Sequence, residues 1–323
     1  MTVIGIALSS EERSATELVA AARKAEEAGF TAGWISDHFH PWNDEQGQSP
    51  FVWSVLGALA EATSEMTWET AVTCPTMRIH PAILAQATAT TAALMPGRFR
   101  FGVGSGEALN EHIFGDAWPR PAIRLEMLEE AVEVIRKLWS GELTSHQGTH
   151  YTVDRARIYT LPDEPPPIIV SAFHEQALDL AARIGDGFAT TKPDAESRQG
   201  YRERGGKGPT QGALKCCYGP DRDAAIETAH RLWPNEGLPG PLAQVLSTPE
   251  EFEAASQLVT PDMIAKSVPC GPDPEDHIAK VQEYVDAGFD EIYVGHIGPD
   301  HDAFVDFYAR EVIPHVTAVG ARA

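Results

Sequence analysis

The 323-residue sequence predicts an α/β protein built as a (β/α)8 TIM barrel with loop insertions, a single domain over residues 1–323. Three observations predict it. Short apolar runs alternate with amphipathic helical segments, and the strand-like runs number eight. Several runs are apolar throughout rather than alternating, as for parallel strands covered by helices. The helices stop at glycine signals, Ala28-Gly29-Phe30, Pro96-Gly97 and Ala287-Gly288-Phe289. The eightfold count favours a barrel over an open doubly wound sheet.

In order, Val3 to Leu8 reads as the first strand and Thr16 to Ala28 as its helix. Ala32 to Ser36 and Thr67 to Val72 are the next strands, with a helix from Phe51 to Ala62 between them. A helix from Pro81 to Ala93, opened by its proline, leads to strand Phe99 to Val103. A helix from Ile123 to Trp139 follows. His146 to Pro166 lacks helical period and reads as a hairpin insertion. Pro167 to Ser171 is the fifth strand, with helix Glu175 to Ile184; Gly187 to Thr190 is the sixth. Ala213 to Tyr218 is the seventh, followed by helix Asp223 to Leu232. A proline-rich, partly helical insertion spans Pro234 to Pro272. Helix Pro274 to Ala287, strand Glu291 to Val294 and helix Ala303 to Ile313 close the chain.

Composition narrows the function. A hydrophobic fraction of 43% supplies a large core, and a formal net charge of −22 argues against a nucleic-acid partner. No apolar run reaches the roughly eighteen residues of a membrane span. The N-terminus reads as a strand rather than a signal peptide, so a cytoplasmic protein is expected. Cys74, Cys216, Cys217 and Cys270 show no C-x-x-C spacing and read as reduced thiols.

Ligands of a parallel α/β barrel bind where strands end, so residues just past the strands carry the chemistry. Trp34-Ile-Ser-Asp-His-Phe-His-Pro-Trp42 leaves the second strand with an acid, two imidazoles and two indoles. His38 is a candidate general base, Asp37 a candidate orienter of one imidazole, and Trp42 an aromatic wall. A competing reading makes His38 and His40 metal ligands of a barrel hydrolase. Its further ligands would be His174, His296 and Asp300, an incomplete set with nothing suitable after the sixth strand. Phe101-Gly-Val-Gly-Ser-Gly-Glu107-Ala-Leu-Asn110 leaves the fourth strand. Its G-x-G-x-G spacing is not the dinucleotide fingerprint. It reads instead as backbone that approaches a flat or anionic ligand, with Glu107 and Asn110 beside it. Arg78, in the loop after the third strand, is a possible anion contact. Among the lysines, Lys192 lies just past the sixth strand, Lys266 in the insertion, and Lys280 on a solvated helix face.

Ser36-Asp-His-Phe-His-Pro-Trp42, Cys74-Pro-Thr-Met-Arg78, Gly102-Val-Gly-Ser-Gly-Glu-Ala-Leu-Asn110 and Trp139-Ser-Gly, in this order and spacing, resemble the luciferase-like superfamily of flavin and deazaflavin oxidoreductases. Within it the chain is most similar to the F420-dependent glucose-6-phosphate dehydrogenases. The resemblance implies a (β/α)8 barrel, usually a homodimer, that uses coenzyme F420 for hydride transfer from an alcohol such as a sugar 6-phosphate. It implies His38 as the base, Trp42 as the residue steadying the transition state, and Glu107 as the acid beside the deazaflavin. Asp37, Ser105, Gly106 and Asn110 match cofactor-contacting positions, and a cis peptide behind the cofactor would fall at Ala71-Val72. Lys266 and Lys192 match substrate-phosphate positions, while no arginine matches the third; where the family often shows a glycine pair, this chain has Ala172-Phe173-His174. Dehydrogenases or reductases acting on unphosphorylated substrates, and flavin monooxygenases, are the alternatives within the superfamily.

Overall fold

The computed structural model describes residues 2–316; Met1 and 317–323, the ends of the expected domain, lie outside the described residues. Strand β1 (Val3–Leu8) is followed by α1 (Ala15–Glu27), β2 (Ala32–Ile35), α2 (Val52–Ala62), β3 (Thr67–Thr70) and α3 (Pro81–Leu94). Next come β4 (Phe99–Val103), α4 (Ala108–Glu111), α5 (Pro121–Leu138), β5 (Thr144–Gln147), β6 (Thr152–Ala156), β7 (Ile168–Ser171) and α6 (Glu175–Ile184). The second half runs β8 (Gly187–Thr190), α7 (Ala195–Glu203), β9 (Thr210–Cys216), α8 (Arg222–Leu232), α9 (Leu242–Val245), α10 (Pro249–Ser256), α11 (Pro261–Ile264), α12 (Pro274–Asp286), β10 (Glu291–His296) and α13 (His301–Phe307).

Eight parallel strands close in the order β1-β10-β9-β8-β7-β4-β3-β2, the expected TIM barrel. β5 and β6 form the antiparallel hairpin expected in the first insertion. Local sequence explains the helix starts. Ser14 and Glu17 make a reciprocal capping box on α1, and prolines occupy the first turn of α3, α5, α10 and α12.

One unexpected helix and two shifted starts stand out against expectation. α7 was not expected: Tyr201 is its one buried residue, so the stretch has no apolar period, and the Asp194 cap is the only local signal. β9 begins at Thr210 rather than Ala213, because Thr210 and Gln211 are polar residues that bond inside the fold. The last helix starts at His301 and widens at Tyr308–Val312 into a π turn.

The main apolar core lies between barrel and helices, with Ile6, Leu56, Phe101, Ile135 and Tyr308 among its buried members. Inside the barrel a stacked pair, Trp34 and Tyr293 (centroids 4.3 Å apart), packs with Ala32, Ile169, Ala189 and Ala213. The strand-start end of the barrel holds a polar plug. The Arg100 guanidinium donates to both oxygens of Glu291 at 2.9 and 2.6 Å, and the Gln211 amide donates to Glu69 and Glu291 at 2.9 and 3.0 Å. Glu291 thus takes the cation, while Glu69 stands 3.9 Å from it. Burial, outweighing Gln211 and Arg100, pushes the Glu69 carboxyl up to about 8.

Because its folded pKa lies above the unfolded value, Glu69 holds a proton in the folded chain that the unfolded chain releases. Stability therefore falls as pH rises from about 4.5 to about 8. Glu69→Gln keeps the neutral shape, so denaturant unfolding at pH 6 and pH 8 should show a smaller loss at pH 8 than in the wild type. An identical pH response in both proteins would refute protonation of this carboxyl.

Candidate active site

Beyond the plug, six inward positions toward the strand ends are small, Ala7, Ala71, Gly102, Gly104, Ala189 and Gly295, while Lys215 of β9 is a long one. The small ones leave open the mouth above the Trp34–Tyr293 stack. Two glycines of the β4 loop are required there. A Cβ at Gly102 would strike the Thr70 carbonyl, and Gly106 has φ +76° and a Cβ there would strike Cys74 Sγ. The Ala71–Val72 peptide between β3 and this mouth is cis, at the expected place.

His38 sits at the centre. Its Nδ1 lies 3.1 Å from the His40 carbonyl, a pure acceptor, so Nδ1 carries the hydrogen and Nε2 is the basic nitrogen. Nε2 lies 3.4 Å from Glu11 Oε1 and 3.5 Å from Glu107 Oε1. Trp42 walls the imidazole at a centroid distance of 5.0 Å and packs edge-on against Phe252 of α10. Burial raises the Glu11 carboxyl, but the positive charge His38 carries when protonated, with the Ser36 and Ser9 hydroxyls, outweighs it and holds Glu11 below the usual range. The Ser36 and Ser9 hydroxyls both donate to Glu11 Oε2 at 2.7 Å.

Asn110 ties two loops together. Its Oδ1 accepts from the Phe39 and His40 amides at 2.8 and 3.1 Å, and its Nδ2 donates to Glu107 Oε1 at 2.7 Å. One side chain thereby sets both the backbone that locks His38 and the carboxylate facing it.

Asp37 does not orient an imidazole as expected. It is buried, accepts from Thr73 Oγ1 at 2.7 Å, and pairs with Arg78 Nη2 at 2.7 Å. Arg78 is therefore not a free anion contact. Its backbone N–H donates to Glu111 at 2.7 Å, and its guanidinium lies 3.5 Å from the same carboxylate. Burial, partly offset by Arg78, pushes Glu111 up to about 7. Loss of Asp37 would leave a buried guanidinium poorly compensated, a cost of about 3–5 kcal/mol for such a pair.

The proposed metal ligands disperse. His174 is exposed at the start of α6, and His296 is buried, stacked 4.8 Å from Phe304. His40 Nδ1 donates to the Leu109 carbonyl at 2.9 Å, and its ring stacks near His112. Among the described residues no three His, Cys, Asp or Glu side chains converge as a metal set.

Lys192 and Lys266 are exposed, and neither ammonium has an ion-pair partner among the described residues. Ser105 and Gly106 lie in the β4 loop before Glu107. Sequence reasoning missed Glu11, Glu12 and Lys215. Ser9-Ser-Glu-Glu-Arg13, an acidic pair just past a barrel strand, was the available signal for the first two. Glu12 accepts from Trp233 Nε1 at 2.6 Å and from the Gly298 amide at 2.8 Å, which closes the β1 and β10 loops onto the insertion.

Comparison with known proteins places this geometry in a family. Residues 1–291 match the family described as luciferase-like monooxygenase. An F420-dependent glucose-6-phosphate dehydrogenase of Nakamurella multipartita is 34% identical, with 98% of this chain and 96% of that one covered. An F420-dependent hydroxymycolic acid dehydrogenase of Mycobacterium tuberculosis is 36% identical over 97% of this chain and 88% of that one. The solved structure of an F420-dependent secondary alcohol dehydrogenase with an F420-acetone adduct superposes with a TM-score of 0.89 at 32% identity, covering 98% and 99% of the two chains. The chain belongs to the luciferase-like monooxygenase family.

Proposed function

We propose that this chain is an F420-dependent dehydrogenase that removes a hydride and a proton from an alcohol, with a sugar 6-phosphate as the leading substrate. The observation that carries the reading is His38, whose Nδ1 is committed to a backbone carbonyl while Nε2 faces the mouth between Glu11 and Glu107. Alcohol oxidation needs a base at the hydroxyl. Nε2 takes the hydroxyl proton, and the resulting imidazolium lies between two carboxylates that stabilise its charge. Asn110 holds Glu107 in place, and Trp42 limits water access beside the imidazole.

The small inward side chains Ala7, Ala71 and Ala189 suit a flat cofactor at the mouth, and Gly102, Gly104 and Gly106 let the β4 segment pack directly on Thr70, Val72 and Cys74, where a Cβ would collide. Ala71, Val72, Ser105, Gly106, Asn110 and Asp37 would hold the cofactor from the β2, β3 and β4 ends. Bound deazaflavin supplies a two-electron hydride acceptor. Lys192 and Lys266 would meet the substrate phosphate. The names of relatives at 34–36% identity support both cofactor and substrate class.

The same reading takes the chain as a cytoplasmic homodimer. Four buried free cysteines suit a reducing compartment, and among the described residues no helix is long and apolar enough to cross a membrane. α3 has no charged residue, and Phe51, Ile83 and Leu94 are large apolar side chains exposed at the start of α2 and on α3.

Three outcomes test this. Fluorescence titration should show tighter binding of F420 than of flavin mononucleotide; tight flavin binding with none for F420 would favour a monooxygenase instead. His38→Ala should lower turnover by roughly two to four orders of magnitude, and Glu11→Gln by roughly ten- to a hundredfold through loss of a charged partner, with F420 affinity little changed. Near-normal turnover in His38→Ala would move the base elsewhere. Analytical ultracentrifugation should report a dimer that Ile83→Asp converts to monomer, whereas a wild-type monomer would remove the α2–α3 interface.

A further inference from the structure

Among the seven lysines of this strongly acidic chain, Lys215 stands on a barrel strand at the mouth. Gln211 and Ala213 of β9 face the barrel interior, so Lys215, two residues further, shares their inward side at the ligand-binding end. Its register partner is Gly295, which presents no side chain to crowd it. On the neighbouring strand Thr190 pairs with Gly212, and the exposed Lys192 lies in the loop two residues past Thr190. The insertion returns to the same place. The Cys217 and Cys270 backbones pair as an isolated parallel β-bridge, with the Cys217 amide donating to the Pro269 carbonyl at 2.9 Å, and Lys266 lies four residues before Cys270.

Lys215 is not idle. Its ammonium lies 4.1 Å from the Trp233 ring centroid and 2.8 Å from Glu236 Oε1. Trp233 is itself clamped by Glu12, and it belongs to the buried cluster against which Trp42 packs. The cation is thus oriented by an aromatic face and held by one carboxylate from the insertion, next to the residues around His38.

We propose that Lys215 is the third cation of the substrate site, and that Glu236 is an internal counterion occupying the position of the substrate's anionic group. This rests on the phosphorylated-alcohol reading above and supplies the basic group for which no arginine is found. A phosphate oxygen replacing the Glu236 carboxylate would make the same charge-assisted contact with Lys215 and gain Lys192 and Lys266 as further partners. Glu236 then sets selectivity: an uncharged alcohol has nothing with which to displace it, whereas a dianion competes for Lys215.

The test uses the F420-loaded protein and calorimetric titration with inorganic phosphate, together with steady-state kinetics on glucose 6-phosphate. Lys215→Met should weaken phosphate binding by roughly ten- to a hundredfold and raise KM far more than it lowers kcat, with Lys215→Arg restoring most of the loss. Glu236→Gln should strengthen phosphate binding by roughly tenfold. F420 affinity of each variant reports an intact barrel. If Lys266→Ala weakens phosphate binding but Lys215→Met and Glu236→Gln do not, the role of Lys215 is overturned while the phosphate reading stands. If neither the wild type nor Glu236→Gln binds phosphate or turns over glucose 6-phosphate, both fall.

Discussion

The buried Arg78 guanidinium, set between Asp37 and Glu111, is the interaction on which the site depends. It joins the loops leaving β2, β3 and β4 at one point, out of water, where an unpaired charge is too costly to persist. With those loops docked, Asn110 reaches the His40 backbone, and the His40 carbonyl fixes the His38 tautomer. The His38 imidazole is therefore positioned by a chain of contacts that begins with an ion pair within the protein itself.

The barrel interior divides along its axis. At the strand starts it is filled by the Arg100, Glu291, Glu69 and Gln211 plug; in the middle by the Trp34–Tyr293 stack; at the strand ends by alanines and glycines. The first two layers give a rigid floor, and the third leaves volume. Catalytic groups then come from the loops, which a closed parallel barrel presents together at one end. Two acidic loops, the one after β1 and the insertion after α8, bring Glu11, Glu12 and Glu236 to that end. In a chain of net charge −22, Lys215 near the mouth is met by the Glu236 carboxylate, whereas Lys192 and Lys266 stand in solvent.

Much of this was legible in order along the chain. The glycine stops, the proline starts and the apolar strand runs are local signals, so barrel, hairpin and most boundaries followed from them. α7 did not, because a helix that buries only Tyr201 carries almost no apolar period. At the site, the Asp37–Trp42 segment and the Gly102–Asn110 loop stood out by composition. Asp37 was nonetheless assigned to the wrong partner. Adjacency to two histidines suggested an imidazole, whereas its contacts are Thr73 and Arg78, some forty residues away.

The sequence by itself determined the barrel, the end at which ligands bind, and His38, Trp42 and Glu107 as the groups to watch, since periodicity and strand-end position are local properties. Only the tertiary structure decided that Glu11 rather than Asp37 accompanies His38, that Arg78 is a structural cation, and that Lys215 lies against Trp233 and Glu236. Those facts depend on barrel closure and strand register, which bring residues 11, 38 and 107 together from three separate loops. No spacing along the chain encodes that meeting.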